Sequence, residues 1–268
     1  MNRHEFEISR FIVIPSRKVY GIYIKVKAEP SILRELATLA EKNNITILYL
    51  TFSTPQYPNE PIKAISFLDF TNAATDIHNI ISEVSKMDFV YETKLIEPIK
   101  DGFIVDTLSL PLTLDGERAM IIRQEGFKAL LDKILELGPS GEAILYHVGF
   151  NLGLGYAKTH ARLEKILGID TPSDILEYII KPLFKAVGFG EIKIISIDPE
   201  VPELTVRVYS NFECELAPRS DKSASNFIRG IIAGVPSGLF GVTITAEETK
   251  CIARGDDYCE FYVYKEQS

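Results

Sequence analysis

Tryptophan is absent from this 268-residue chain, and cysteine, methionine and histidine are scarce, at 3, 3 and 4 residues. Three cysteines are too few, and the wrong parity, for a secreted disulfide framework, which points to a reducing compartment. Long apolar runs are also missing: the stretch from Phe227 to Ile232 is interrupted by Arg229 and Gly230. Nothing approaches the roughly 20 apolar residues that span a bilayer, so no membrane association is expected. Residues 1–7 carry His4 and two glutamates before any apolar run, unlike a secretory signal, and a cytoplasmic protein is the expectation. A basic stripe is lacking too. The net charge is −8, and residues 1–100 hold equal numbers of acidic and basic side chains, so the whole acidic excess lies beyond them. Direct nucleic-acid binding is not expected of such a chain, because duplex affinity rests on neutralising phosphates.

What is present is globular: 46% hydrophobic and 25% charged residues, at a length that suits two domains. In residues 19–98, Ile22, Ile24 and Val26 alternate with Tyr23, Lys25 and Lys27, the period of a half-buried strand. Glu29-Pro30-Ser31 opens a helical pattern with Ile32, Leu36, Leu39 and Ala40 on one face, ended by Asn43-Asn44. A β-rich run over 45–52, a proline-punctuated loop over 54–61 and a strand over 62–70 follow. A second helix then places Ala73, Ile77, Ile80, Ile81 and Val84 on one face, and a last strand covers about 89–96. The order β-α-β-β-α-β predicts a ferredoxin-like plait with both helices on one side of the sheet, in an α+β protein. This half resembles the ACT domain, whose acidic-x-Pro-Gly-x-Leu motif falls at Glu29-Pro30-Ser31-Ile32-Leu33. Ser31 replaces the glycine that lets backbone approach a bound amino acid, so a dimerising plait is expected here.

Residues 99–115 read as a boundary and entry strand, giving domains 1–98 and 99–268. Helical periodicity at Phe127, Leu130, Leu131, Ile134 and Leu135 stops at Gly138-Pro139, and one long helix is expected over 141–167. Thr171-Pro172-Ser173-Asp174 starts another helix. Strands follow at 192–197 and 204–209, then a short helix over 227–235 and a hairpin over 242–253 and 258–264. This half should be a layer of helices on an antiparallel sheet.

Phe227-Ile228-Arg229-Gly230-Ile231-Ile232-Ala233-Gly234, followed by Glu248-x-x-Cys251-x-x-x-Gly255-Asp256-x-x-Cys259-x-Phe261, resembles the 4-vinyl reductase domain family over residues 105–266. The resemblance implies an apolar pocket for a small hydrophobic ligand rather than one shared chemistry. It also implies zinc ligation by Glu248, Cys251 and Cys259 with a fourth ligand at Ser225, where serine is a poor donor; Cys214 is the alternative, reached from the preceding strand. Cys251 and Cys259 lie symmetrically about Gly255, which makes them cross-strand neighbours in a hairpin. Zinc, a disulfide and two packed thiols stay open for this pair, the last being the leading expectation.

Gly149-Phe-Asn-Leu-Gly153-Leu-Gly155 lacks the Lys-Ser/Thr of a phosphate loop. Gly149 and Gly153, like Gly230 and Gly234, share a helical face, which suits close helix packing or leaves room for a ligand. Tyr146, His147, Gly149, Gly153 and Phe227 are the candidate ligand-binding residues, with His147 placed to orient a polar group. No Ser/His/Asp or Cys/His arrangement and no dinucleotide fingerprint is legible, so no catalytic residue is assigned and an enzyme is not expected. The reading is a ligand-sensing, homodimeric regulatory protein. Its rival is a structural interaction module resembling trafficking-complex core subunits, without a ligand.

Overall fold

The computed structural model describes residues 5–29, 31–55, 57, 59–198 and 202–265, with the side chains of residues 161 and 162 excepted. Pro30, within the expected helix-opening motif, and His4 lie outside the described residues. By internal packing the chain divides into Met1–Ile121 and Ile122–Ser268.

The first unit contains β1 (Phe11–Val13), β2 (Val19–Val26), α1 (Ile32–Lys42), β3 (Thr46–Phe52), β4 (Ile62–Asp69), α2 (Ile77–Ser85), β5 (Val90–Ile96), β6 (Phe103–Val105), β7 (Leu112–Leu114) and β8 (Glu117–Ala119). Four strands form an antiparallel sheet in the order β3-β4-β2-β5. The period-2 pattern splits the sheet residues between two cores. Ile22, Ile24, Val26, Ala64 and Leu68 pack with Leu39 and Ala40 of α1 and Ile77, Ile80 and Val84 of α2, so both helices cover one face. Val19, Ile65, Phe67 and Ile96 face the other way, where Ile104 joins them. Asp76 caps α2 by accepting from the Asn79 amide at 2.9 Å, and Asn44, at φ 52°, turns the chain out of α1. Residues 103–105 pair with residues 11–13, so this part of the expected 99–268 half is built into the first unit.

The second unit contains α3 (Gln124–Leu135), α4 (Pro139–Thr159), α5 (Ala161–Leu167), α6 (Pro172–Ile175), a π-helical turn (Leu176–Ile180), α7 (Lys181–Ala186), β9 (Glu191–Asp198), β10 (Glu203–Tyr209), α8 (Phe212–Leu216), α9 (Asn226–Phe240), β11 (Ile244–Lys250), a 3₁₀ turn (Ile252–Arg254) and β12 (Cys259–Lys265). Its antiparallel sheet runs β11-β12-β10-β9. Leu204, Val206, Val208, Phe261 and Val263 line the inner face and pack in one core with Ile228, Ile231 and Val235 of α9.

Three expected boundaries move. Gly138-Pro139 ends α3 but also opens α4, because a proline at the first helical position gives up an amide that has no intrahelical partner anyway. The expected helix over 141–167 is two helices, divided at His160. The expected helix over 227–235 runs on to Phe240 with Pro236 inside it. Among the described residues no helix is long and apolar enough to cross a membrane.

Candidate metal centre and apolar cavity

Five elements converge on a buried group of sulfur and oxygen atoms. Asn211 caps α8, its Oδ1 accepting from the Glu213 amide at 3.1 Å, and the short helix places Cys214 inward. Glu248 and Cys251 come from β11 and its exit. Inner positions alternate along this strand as Ile244, Ala246 and Glu248, and the next inward residue would be Lys250. A register shift between Glu248 and Lys250 inserts one residue, so Lys250 faces outward over the Tyr258 ring and Cys251 turns in. This bulge is what lets two residues three apart share a site. Cys259 opens β12 and faces inward by the same alternation that buries Phe261 and Val263.

The sulfurs meet around Cys214, whose Sγ lies 3.4 Å from that of Cys251 and 3.5 Å from that of Cys259. The candidate ligand atoms of Cys214, Glu248, Cys251 and Cys259 all lie within 4.8 Å of one another. All three cysteines are free thiols, so the Cys251–Cys259 disulfide left open above is not formed. Cys251 itself falls outside the ladder, whose last pair is Lys250 with Glu260, and the 3₁₀ turn joins the two strands. Ser225 occupies the same space without displacing a thiol: its hydroxyl donates to Glu248 Oε1 at 2.7 Å and lies 2.9 Å from Cys214 Sγ. Asn211 Nδ2 donates to Ser225 Oγ at 2.9 Å and to Cys259 Sγ at 3.3 Å.

Electrostatically the cluster is short of positive charge. Burial pushes the Glu248 carboxyl up to about 7, although the Ser225 hydroxyl donates to it. Donation from Cys214 and Cys259 lowers the Cys251 thiol, while Cys214, as donor to both other sulfurs, is pushed far up. Cys259 accepts from Cys214, yet Cys251 and burial leave it raised, to about 12. One thiolate is therefore as much negative charge as the three sulfurs hold by themselves. A divalent cation would reverse this, since coordination deprotonates thiols outright. The donor set fits zinc: three sulfurs and a carboxylate oxygen complete four positions, and the sulfur separations are close to the roughly 3.8 Å edge implied by tetrahedral Zn–S bonds. Cys214 supplies the donor that Ser225 lacks, from a helix rather than the expected strand.

Next to the cluster, Glu213 is buried and caps α9 with both oxygens, accepting from the Phe227 amide at 2.9 Å and the Ile228 amide at 2.8 Å. Burial outweighs these donors and pushes its carboxyl up to about 8.

The residues expected to bind a ligand are dispersed. A Cβ on Gly149 would overlap the Phe227 carbonyl oxygen, and one on Gly230 the Tyr146 carbonyl oxygen. One on Gly153 would lie 2.7 Å from the Ile231 carbonyl oxygen. These glycines let α4 and α9 touch backbone to backbone and leave no space between them. His147 is exposed. Tyr146 lies under the Arg229 guanidinium, 4.7 Å from ring centroid to Cζ, and Phe227 is packed among Phe127, Phe189 and Phe212. None of the five lines the apolar cavity of this unit, which is elsewhere, against the inner face of the sheet. Its walls include Leu176 and Ile180 of the π-helical turn, Phe184, Val206, and Val235 and Pro236 of α9. The free space is about 30 Å³, and about 380 Å³ counted out to the open mouth. Sequence periodicity missed it because every wall residue also reads as ordinary core.

The 4-vinyl reductase domain matches residues 204–265, which span β10, α8, α9, β11 and β12 and hold all four clustered ligands. Over 138 residues the chain is 30% identical to the uncharacterized protein MJ0150 of Methanocaldococcus jannaschii, covering 51% of this chain and 72% of that protein. The chain belongs to the 4-vinyl reductase domain family. The uncharacterized protein MJ1460 of the same organism is 27% identical over 63% of this chain and 89% of its own length. Among solved structures, the phenol-responsive sensory domain of the transcription activator PoxR with phenol superposes with a TM-score of 0.52 and 17% identity, over 57% of this chain and 79% of that one. A vinyl-4-reductase family protein from Methanocaldococcus jannaschii gives 0.39 and 22%, over 56% and 85%. The family match lies wholly within the second unit, and likeness of the first unit to an ACT domain is not among these findings.

Proposed function

We propose that this chain is a ligand-sensing regulatory protein whose second unit, the vinyl reductase-type unit, binds a small hydrophobic or aromatic molecule in the cavity beside the π-helical turn. The observation that carries this is the composition of the cavity wall. A π-helical turn and a proline-containing helix face each other across apolar side chains. Both features weaken the regular i→i−4 ladder, and π-turns recur at functional sites. Such walls can part at lower cost than two regular helices, so a cavity of about 30 Å³ can open for a ring-sized guest. The fold likeness to a sensory domain solved with phenol supports the same reading.

In this proposal Cys214, Glu248, Cys251 and Cys259 hold one zinc. Bound there, the metal would tie α8 to the terminal hairpin and, with four protein donors, have no open position for catalysis. The first unit, a β-α-β-β-α-β plait that we read as ACT-like, dimerises the protein or passes the signal on. Calorimetric titration of the full chain with small aromatics tests the ligand claim: saturable binding with a negative heat-capacity change is expected, and Val235→Trp should abolish it. No saturable heat with any apolar probe contradicts the reading.

A further inference from the structure

The first unit holds a cleft of its own between α1, α2 and the sheet. Its free space is about 50 Å³, against the roughly 10–15 Å³ that one water occupies on the same measure. Counted to its mouth it holds about 540 Å³. Ile22, Ala64, Leu39, Ile80 and Val84 form the floor and sides. The mouth lies along the edge strand β3, where Ile47 is exposed and Leu50 half-buried. Every lining residue is aliphatic except Ser66. Its hydroxyl, on the strand face that carries Ala64 and Leu68, has no hydrogen-bond partner among the described residues.

These facts narrow the occupant. Waters would need two to four polar partners each, and among the lining side chains only one hydroxyl can supply any, so water fills this space poorly. A zwitterionic amino acid is excluded by the lack of any charged group in the lining, since unpaired charge does not enter aliphatic surroundings. An uncharged hydrocarbon body suits the walls, and one polar atom on it would satisfy Ser66. We propose that this cleft binds one small, uncharged, largely hydrocarbon molecule carrying a single hydroxyl or carbonyl that hydrogen-bonds Ser66 Oγ. This second site is independent of the cavity in the vinyl reductase-type unit.

Titration of the full chain, labelled at Ile, Leu and Val methyl groups, with benzene and with phenol reads the two units separately. Saturable shifts are expected at Ile22, Leu39, Leu50 and Ile80 for both probes. Ser66→Ala should weaken phenol about 2- to 10-fold and leave benzene unchanged. Ala64→Leu, which fills the cleft, should remove both responses in the first unit without lowering the melting temperature; if it unfolds the protein, Leu50→Phe fills the mouth instead. Shifts confined to Ile180, Ile231 and Val235 would overturn the proposal while leaving the cavity of the second unit standing. An equal effect of Ser66→Ala on both probes would overturn it as well. Shifts confined to the first unit would uphold it and count against the cavity of the second.

Discussion

Ser225 and Cys214 show how a site can keep its donors when one position changes type. Serine stands where the family resemblance places a ligand, and a cysteine 11 residues earlier, on a capped five-residue helix, reaches the same point with its Sγ 2.9 Å from the serine Oγ. Ser225 then serves as an outer hydrogen-bond donor that orients Glu248. Elemental analysis of protein purified without chelator should find about one zinc per chain, reduced to a small fraction by Cys214→Ser. Ser225→Ala should leave the metal bound but weaken its affinity about 10- to 100-fold, the usual effect of losing an outer-shell partner. Full metal content in Cys214→Ser would show that Cys214 is not a ligand. A second residue-scale expectation concerns Asp69. Burial raises its carboxyl, but the Thr71 hydroxyl and amide and the Arg17 guanidinium more than offset this and hold it below the usual carboxylate range. Its contribution to stability is therefore present above its unfolded value, about 3.9, and is lost as pH falls below it. Urea midpoints measured between pH 6 and 3 should drop less for Arg17→Ala than for wild type; parallel curves would contradict this.

At the scale of elements, the α4–α9 pair is the most constrained contact, because glycines from both helices remove the Cβ layer between them. Gly149→Ala and Gly230→Ala should each destabilise the protein by about 1–3 kcal/mol or more through overpacking. Gly155→Ala, where an added Cβ meets nothing within 4 Å, should stabilise by about 0.5–1 kcal/mol through helix propensity. Chemical denaturation checks the sign reversal; equal effects at all three positions would refute the packing account. These glycines show how much was readable beforehand. Their four-residue spacing announced a shared helical face, and the alternation of Ile22, Ile24 and Val26 announced a strand. Helix α8 gave no such signal, since five residues complete barely more than one turn and show no period. The Asn211-Phe-Glu-Cys run, with asparagine at a capping position, was the only hint that Cys214 leaves a strand and turns inward. The bulge between Glu248 and Lys250 was likewise invisible, because one inserted residue leaves the composition of the strand unchanged. The π-helical turn was hidden in Leu176, Ile179 and Ile180, whose spacing fits a regular helix equally well.

For the whole molecule, each unit encloses its own hydrophobic core. Residues 122–268 alone should therefore fold cooperatively, with helical circular dichroism and the same metal content as the full chain. An insoluble or non-cooperative fragment would show that the vinyl reductase-type unit depends on the first. The claim on which the functional account turns is that the cavity of this unit admits a small apolar guest, and native mass spectrometry of the full chain incubated with phenol tests it most directly, because it reports guest, metal and oligomer in one spectrum. The account predicts a homodimer carrying one zinc per chain and a phenol adduct that is reduced when Val235→Trp fills that cavity and retained in part by the first unit. An adduct unchanged by Val235→Trp, or no adduct at all, would contradict it.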